Sequence, residues 1–105
     1  CYTGTHDNDT STGWYNNTSA YARDKVRRYM NTDASSISWD FIRICLGTIA
    51  RYAIFPLQDV LKLGSEARMN TPGVALGNWE WRYQNGDLNP GMASGLRQMT
   101  ELFGR

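Results

Sequence analysis

The sequence predicts an α/β chain made of two β-α units, as in a parallel sheet or barrel. Two short runs, residues 2–5 and 52–55, carry the Thr, Tyr, Ile and Phe that favour extended backbone. Each is followed by segments whose apolar residues recur at helical spacing. A long irregular stretch, residues 64–91, separates the second unit from a last helix, and loops of that length in compact domains are usually functional.

The elements follow in order. Residues 2–5 read as the closing end of a strand. His6-Asp7-Asn8-Asp9-Thr10 and Ser11-Thr12-Gly13 are dense in turn formers and read as loop. A helix begins near Thr18 or Ser19, either of which can cap it, and Ala22, Val26, Tyr29 and Met30 share one side. Asp24 and Arg28 form an i,i+4 pair, and Asn31-Thr32-Asp33 ends the helix. A stronger helix is predicted over residues 36–51, with Ile37, Phe41, Ile44, Cys45 and Ile49 on a broad apolar face. Residues 52–55 read as a short buried strand stopped by Pro56. Residues 57–61 suit one helical turn, with Pro56 in its first turn. The last helix starts at Asn89-Pro90, a cap followed by proline at the first helical position. Met92, Leu96, Met99 and Phe103 line it, and Gly104 stops it.

Composition narrows the function classes. The chain has 105 residues, 41% hydrophobic and 20% charged, which fits one folded domain and excludes a disordered chain. A net charge of +1 with interspersed signs argues against nucleic-acid or anionic-membrane binding. No apolar run approaches a membrane span; the longest, residues 44–50, is bracketed by Arg43 and Arg51. Cys1 and Cys45 form neither a disulfide framework nor a zinc motif and fit a reducing compartment. No signal peptide is read. Sequons start at Asn8, Asn16 and Asn17, and without secretion they are coincidental. The opening Cys1-Tyr2-Thr3-Gly4, with Tyr2 already inside an apparent strand, suggests a piece cut from a longer protein.

Three clusters could carry chemistry. His6-Asp7-Asn8-Asp9 sits just past the first strand, the edge at which α/β barrels build their sites. A carboxylate there can stabilise a developing cation or bind sugar hydroxyls; the alternative is a turn that caps its own backbone. One His and two Asp so close in sequence rarely enclose a metal unaided. Gln58-Asp59 follows the second strand and faces the same end, or else anchors a loop. Arg68-Met69-Asn70-Thr71-Pro72-Gly73 and Gly77-Asn78-Trp79-Glu80-Trp81-Arg82 place indoles beside Asn and Arg. That chemistry suits sugar rings, which stack on aromatic faces, although both Trp could equally pack under the loop. Trp14 and Trp39 read as structural, Trp14 lying near the polar cluster.

Taken together, six stretches resemble the C-terminal part of the 4-α-glucanotransferases, the amylomaltase or disproportionating-enzyme family. They are residues 2–10, 13–15 (Gly-Trp-Tyr), 39–43 (Trp-Asp-Phe-Ile-Arg), 56–61 (Pro-Leu-Gln-Asp-Val-Leu), 64–73 and 77–82, in family order over nearly the whole chain. The resemblance implies a (β/α)8 barrel. Residues 1–105 would be its C-terminal portion, from the end of strand seven to the last helix, with no separate second domain. It also implies a retaining double displacement on α-1,4-glucans, with two carboxyl groups about 5–5.5 Å apart as nucleophile and acid/base. The glucosyl-enzyme would pass to another sugar's 4-hydroxyl. By motif, Asp7 takes the third carboxylate's role, stabilising the transition state, and His6 beside it binds a hydroxyl in the donor subsite. Asn78 and Trp79 are further candidates for substrate binding. The nucleophile and acid/base are expected upstream of this chain, so Asp9, Asp40 and Asp59 are not assigned to those roles. Gln58 and Arg68 are expected to organise the loop.

Several expectations follow. The partners are maltooligosaccharides and α-1,4-glucans, plus the rest of the barrel upstream. Neither nucleic acid, membrane, metal nor cofactor is expected. The compartment is the cytoplasm, with plastid stroma as the alternative. Two of eight units cannot close a barrel, so the piece alone is expected to be inactive and to fold poorly or as a helical assembly. Two other readings remain: a hydrolase of the same clan, in which water resolves the intermediate, and a non-catalytic glucan-binding module. The His6-Asp7 pair counts against the second.

Overall fold

A computed structural model describes residues 1–105. Five α-helices and one 3-10 turn follow in order: α1 (Ser11–Asn17), α2 (Ala20–Met30), α3 (Ile37–Leu46), α4 (Leu57–Val60), the turn Ser65–Ala67, and α5 (Pro90–Leu102). Side-chain caps start three of them. Thr10 accepts from Gly13 N, Ser19 from Ala22 N and Asn89 from Met92 N, each worth about 1 kcal/mol. Pro90 occupies the first turn of α5, and Gly104 leaves that helix with φ +69°.

Neither expected strand forms. Residues 2–5 and 52–55 meet at a single parallel bridge, Tyr2 with Ile54. Thr3 N donates to Ile54 O at 3.2 Å, and Ile54 N to Cys1 O at 2.9 Å. A strand is sustained by partners along its length, and here each segment has one neighbour and a bare outer edge. The two β-α units are therefore reduced to one bridge, though its parallel sense matches the expectation.

Two helices also depart from the sequence reading. α1 occupies residues read as loop, because Thr10 is a cap rather than part of a turn. α3 ends at Leu46, five residues before the expected Arg51, with Gly47 as its cap. The chain bends away there, and Ile49, assigned to the apolar face, stands fully exposed. The carbonyls left open at this end are taken by Arg105, whose guanidinium donates to Leu46 O at 2.8 Å, Thr48 O at 2.8 Å and Ala50 O at 2.6 Å.

The core lies between α3, α4 and α5. Ile42, Leu46 and Val60 are buried at its centre. Trp39, Phe55 and Leu57 pack around them with Met92, Leu96, Met99 and Phe103, the four residues expected to line α5. The Trp39 indole N–H donates to Val60 O at 2.9 Å, which makes that tryptophan structural as expected. α1 is tied to α2 where Arg27 Nη1 donates to the hydroxyl of buried Tyr15 at 2.8 Å.

Asp59 fixes the polar cluster to this frame. It is 1% exposed, and both its oxygens are engaged. Oδ1 accepts from Ser11 N, and Oδ2 from Ser11 Oγ and Thr3 Oγ1, at 2.7–2.8 Å. One buried carboxylate thus ties the first residues of the chain, the start of α1, and α4. A buried charge persists only when so satisfied.

Candidate functional site

His6 and Asp7 lie on the turn between the parallel bridge and α1. Backbone and side-chain bonds of Asn8 shape this turn: Asn8 Oδ1 accepts from Thr5 N at 2.7 Å and Thr5 Oγ1 at 2.9 Å. Asp9 closes its far end, accepting from Thr10 N at 2.8 Å and Ser65 Oγ at 2.7 Å. The residues between are pushed outward. The side chains of His6 and Asp7 are 56% and 49% exposed, and His6 Nε2 stands 3.4 Å from Asp7 Oδ2.

The long loop comes to meet them. Asn70 Nδ2 donates to Asp7 Oδ1 at 2.7 Å, and Asn70 N to His6 O at 3.2 Å. Arg68 Nη2 donates to Asp7 O at 2.7 Å. Gln58, buried in α4, supports the base of this loop through Nε2 to Ala67 O at 3.1 Å. Gln58 and Arg68 therefore organise the loop as expected. Asn70 carries no signal of its own within its motif; only the fold brings its amide to a residue 63 positions away.

Trp79 completes the group. Its ring centroid lies 5.4 Å from that of His6, the planes inclined at 33°. The backbone there has φ +62°, a region that bulky residues rarely adopt. Trp79 N donating to Met69 O at 2.7 Å holds it. Asn78 forms the turn before it, accepting from Thr71 N at 2.8 Å and donating to Val74 O at 2.7 Å. An amide has two donors and two lone pairs, so Asn78 keeps one of each for a ligand. His6, Asp7, Asn78 and Trp79 are thus gathered on one side of the molecule. Trp14, edge-on to Phe41 at 5.9 Å, stands near the polar cluster as expected, in a cleft of about 380 Å³ that Thr5, Asn8 and Asp9 also line and His6 and Asp7 do not.

Chemically, the arrangement offers carboxylate lone pairs for a ligand: Oδ1 accepts one bond, from Asn70, and Oδ2 stands 3.4 Å from His6 Nε2 on a half-exposed side chain. Beside it stand an imidazole and a half-exposed indole. A hydroxylated ring could receive hydrogen bonds on one edge and aromatic contact on a face. The other acidic candidates are occupied elsewhere: Asp59 is buried, Asp9 holds Ser65, and Asp40 accepts from Thr32 Oγ1 at 2.7 Å.

Comparison with known proteins gives the family. A family model described as 4-alpha-glucanotransferase matches residues 1–89. The chain is 49% identical to a 4-alpha-glucanotransferase of Synechocystis and 42% identical to one of Thermus thermophilus, in each case over 99% of this chain. It is 41% identical to the chloroplastic/amyloplastic 4-alpha-glucanotransferase of Solanum tuberosum, also over 99% of its length. It covers 21%, 22% and 19% of those proteins, so it spans about a fifth of the relatives it matches. Among solved structures, the amylomaltase of Streptococcus agalactiae in complex with acarbose superposes with a TM-score of 0.93. That match has 30% identity and covers 99% of this chain and 21% of the other.

Proposed function

Because the chain belongs to the 4-alpha-glucanotransferase family, we propose that it forms the C-terminal portion of that enzyme's catalytic (β/α)8 barrel, over residues 1–105, with no separate second domain. The parallel bridge between Tyr2 and Ile54 supports this reading, since it is how adjacent strands of a barrel would begin to pair. The rest of the barrel, upstream, is the chain's first partner. Maltooligosaccharides and α-1,4-glucans are its substrates, and the acarbose held by the S. agalactiae protein is a glucan analogue.

The reaction is transfer of an α-1,4-glucan segment with retention. A carboxylate nucleophile displaces the leaving sugar from the anomeric carbon while a carboxylic acid protonates the glycosidic oxygen. The acceptor's 4-hydroxyl then displaces the enzyme, giving its proton to the same residue acting as base. Both groups are assigned to upstream segments, as the family resemblance implies, and Asp9, Asp40 and Asp59 are each held in structural bonds. Asp7 stabilises the transition state. Its fixed carboxylate faces the sugar as positive charge develops at the anomeric carbon, and it binds hydroxyls of the distorted ring. His6 binds a neighbouring hydroxyl, Trp79 stacks on a ring, and Asn78 donates from the loop. The cytoplasm is the proposed compartment, with plastid stroma as the alternative. No helix is long and apolar enough to cross a membrane.

The observation that carries this reading is the half-exposed Asp7 carboxylate, fixed at Oδ1 by Asn70 and set beside His6 and Trp79. The test is Asp7→Asn in the full-length protein, incubated with maltotriose. The wild type should yield glucose plus longer maltooligosaccharides. The variant should lose about 10²- to 10³-fold in kcat, the usual cost of removing one fixed electrostatic group from a transition state. Near-normal transfer by the variant would refute the role, and glucose without longer products from the wild type would make the protein a hydrolase.

A further inference from the structure

Arg68 joins the long loop to the turn that carries Asp7. It takes part in none of the ion pairs, which join His6 to Asp7, Asp24 to Arg27 and Arg28, and Arg97 to Glu101. Both its hydrogen bonds go to uncharged carbonyls. Nη2 reaches Asp7 O at 2.7 Å across 61 residues of sequence, and Nε reaches Asn70 O at 2.9 Å. Asn70 in turn holds Asp7 Oδ1 and His6 O. One three-residue segment, 68–70, therefore grips Asp7 at its main chain and at its carboxylate.

The guanidinium is the part that joins the two grips. Its rigid planar fork fixes the angle between two acceptors, which a lysine ammonium cannot do. Neutral acceptors mean that its task is geometric rather than the neutralisation of a carboxylate. Asp7 Oδ2 stays free of it.

We propose that Arg68 is a positioning residue for Asp7. It locks the turn at residues 6–7 to the loop at 68–70, so that the carboxylate is held before substrate arrives. The inference rests on the role given to Asp7 above. Displacing a catalytic group by about 1 Å can cost on the order of 10²-fold in rate with binding nearly intact. Arg68 should therefore show in kcat, while KM and thermal stability stay close to wild type.

The test uses full-length Arg68→Lys and Arg68→Ala in maltotriose disproportionation. The expected result is a fall of about 10- to 100-fold in kcat for both, KM within about threefold, and an unchanged Tm. Ethylguanidinium added to Arg68→Ala should restore part of the rate, because it can refill the fork without repairing the chain. Normal kcat in Arg68→Lys would overturn the proposal. So would a loss shared by kcat, KM and Tm that ethylguanidinium does not relieve, since that marks a purely structural residue. If the wild type performs no transfer, the proposed function fails by itself, and a crystal structure of Arg68→Lys decides the clamp. Asp7 displaced from Asn70 upholds it, and an unmoved Asp7 ends it.

Discussion

Trp79 holds two opposed demands in one residue. Its left-handed backbone, φ +62°, is unfavourable for a bulky side chain, yet it aims the indole at His6. Strain of this kind persists where surrounding bonds over-determine it, as Met69 O and the Asn78 turn do here. Asparagine tolerates the same backbone far better. Trp79→Asn is therefore expected to leave Tm unchanged or raise it, while KM for maltooligosaccharides rises about tenfold through loss of the stacking face. Steady-state kinetics and a melting curve on the full-length protein check both halves. A fall in Tm with normal KM would make Trp79 a packing residue. Asp59 shows the opposite case, a buried carboxylate that takes three bonds from the surrounding frame. The family motif already separates it from Asp7, and its burial supplies the physical reason.

At the scale of elements, the caps of α2 and α5 were legible because capping chemistry is local. Ser19, Asn89 and Pro90 start α2 and α5 where the sequence places them. α1 was not legible, because Thr10-Ser11-Thr12-Gly13 has loop composition and becomes helix through a long-range bond. Ser11 N and Oγ donate to Asp59, 48 residues away. Gly13 sits inside this helix for want of space. A Cβ there would meet Ser65 Oγ and come within 2.6 Å of Asp9 Oδ1. Gly13→Ala should break the Ser65–Asp9 bond and destabilise the protein by about 1–3 kcal/mol despite alanine's better helix propensity. Denaturant unfolding measures it, and a gain in stability would contradict the crowding. α3 is the other boundary error: its apolar pattern runs on to Ile49, but Gly47 and the Arg105 clasp turn the chain outward after Leu46.

The whole molecule exposes more surface than its mass requires. A folded monomer of 11.9 kDa shows about 6,000 Å² to solvent, and this chain shows 7087 Å². Its radius of gyration, 14.2 Å, exceeds the roughly 13 Å typical of its length. Only 13 residues are buried, while Tyr21, Tyr29, Ile49, Tyr52 and Leu76 stand open. In the proposed barrel, upstream segments would cover part of this surface and pair both sides of the Tyr2–Ile54 bridge. The 105-residue segment made by itself is accordingly expected to produce neither glucose nor longer oligosaccharides from maltotriose, as read by product chromatography. Transfer by that segment would mean that a nucleophile and acid/base lie within it.

The sequence by itself determined the family, the starts of α2 and α5 and the apolar side of α5, and it singled out His6, Asp7 and Trp79 as candidates. Each of these depends on residue type at short spacing, which a linear reading contains. Tertiary structure alone decided what each acidic residue is bonded to, where α1 lies and where α3 ends, and that two strand-like segments shrink to one bridge. It alone brought Arg68 and Asn70 to Asp7. The physical reason is common to all four. A hydrogen bond between residues some 50 to 60 positions apart leaves no periodicity in the chain, and a strand exists only when a neighbour supplies its other edge.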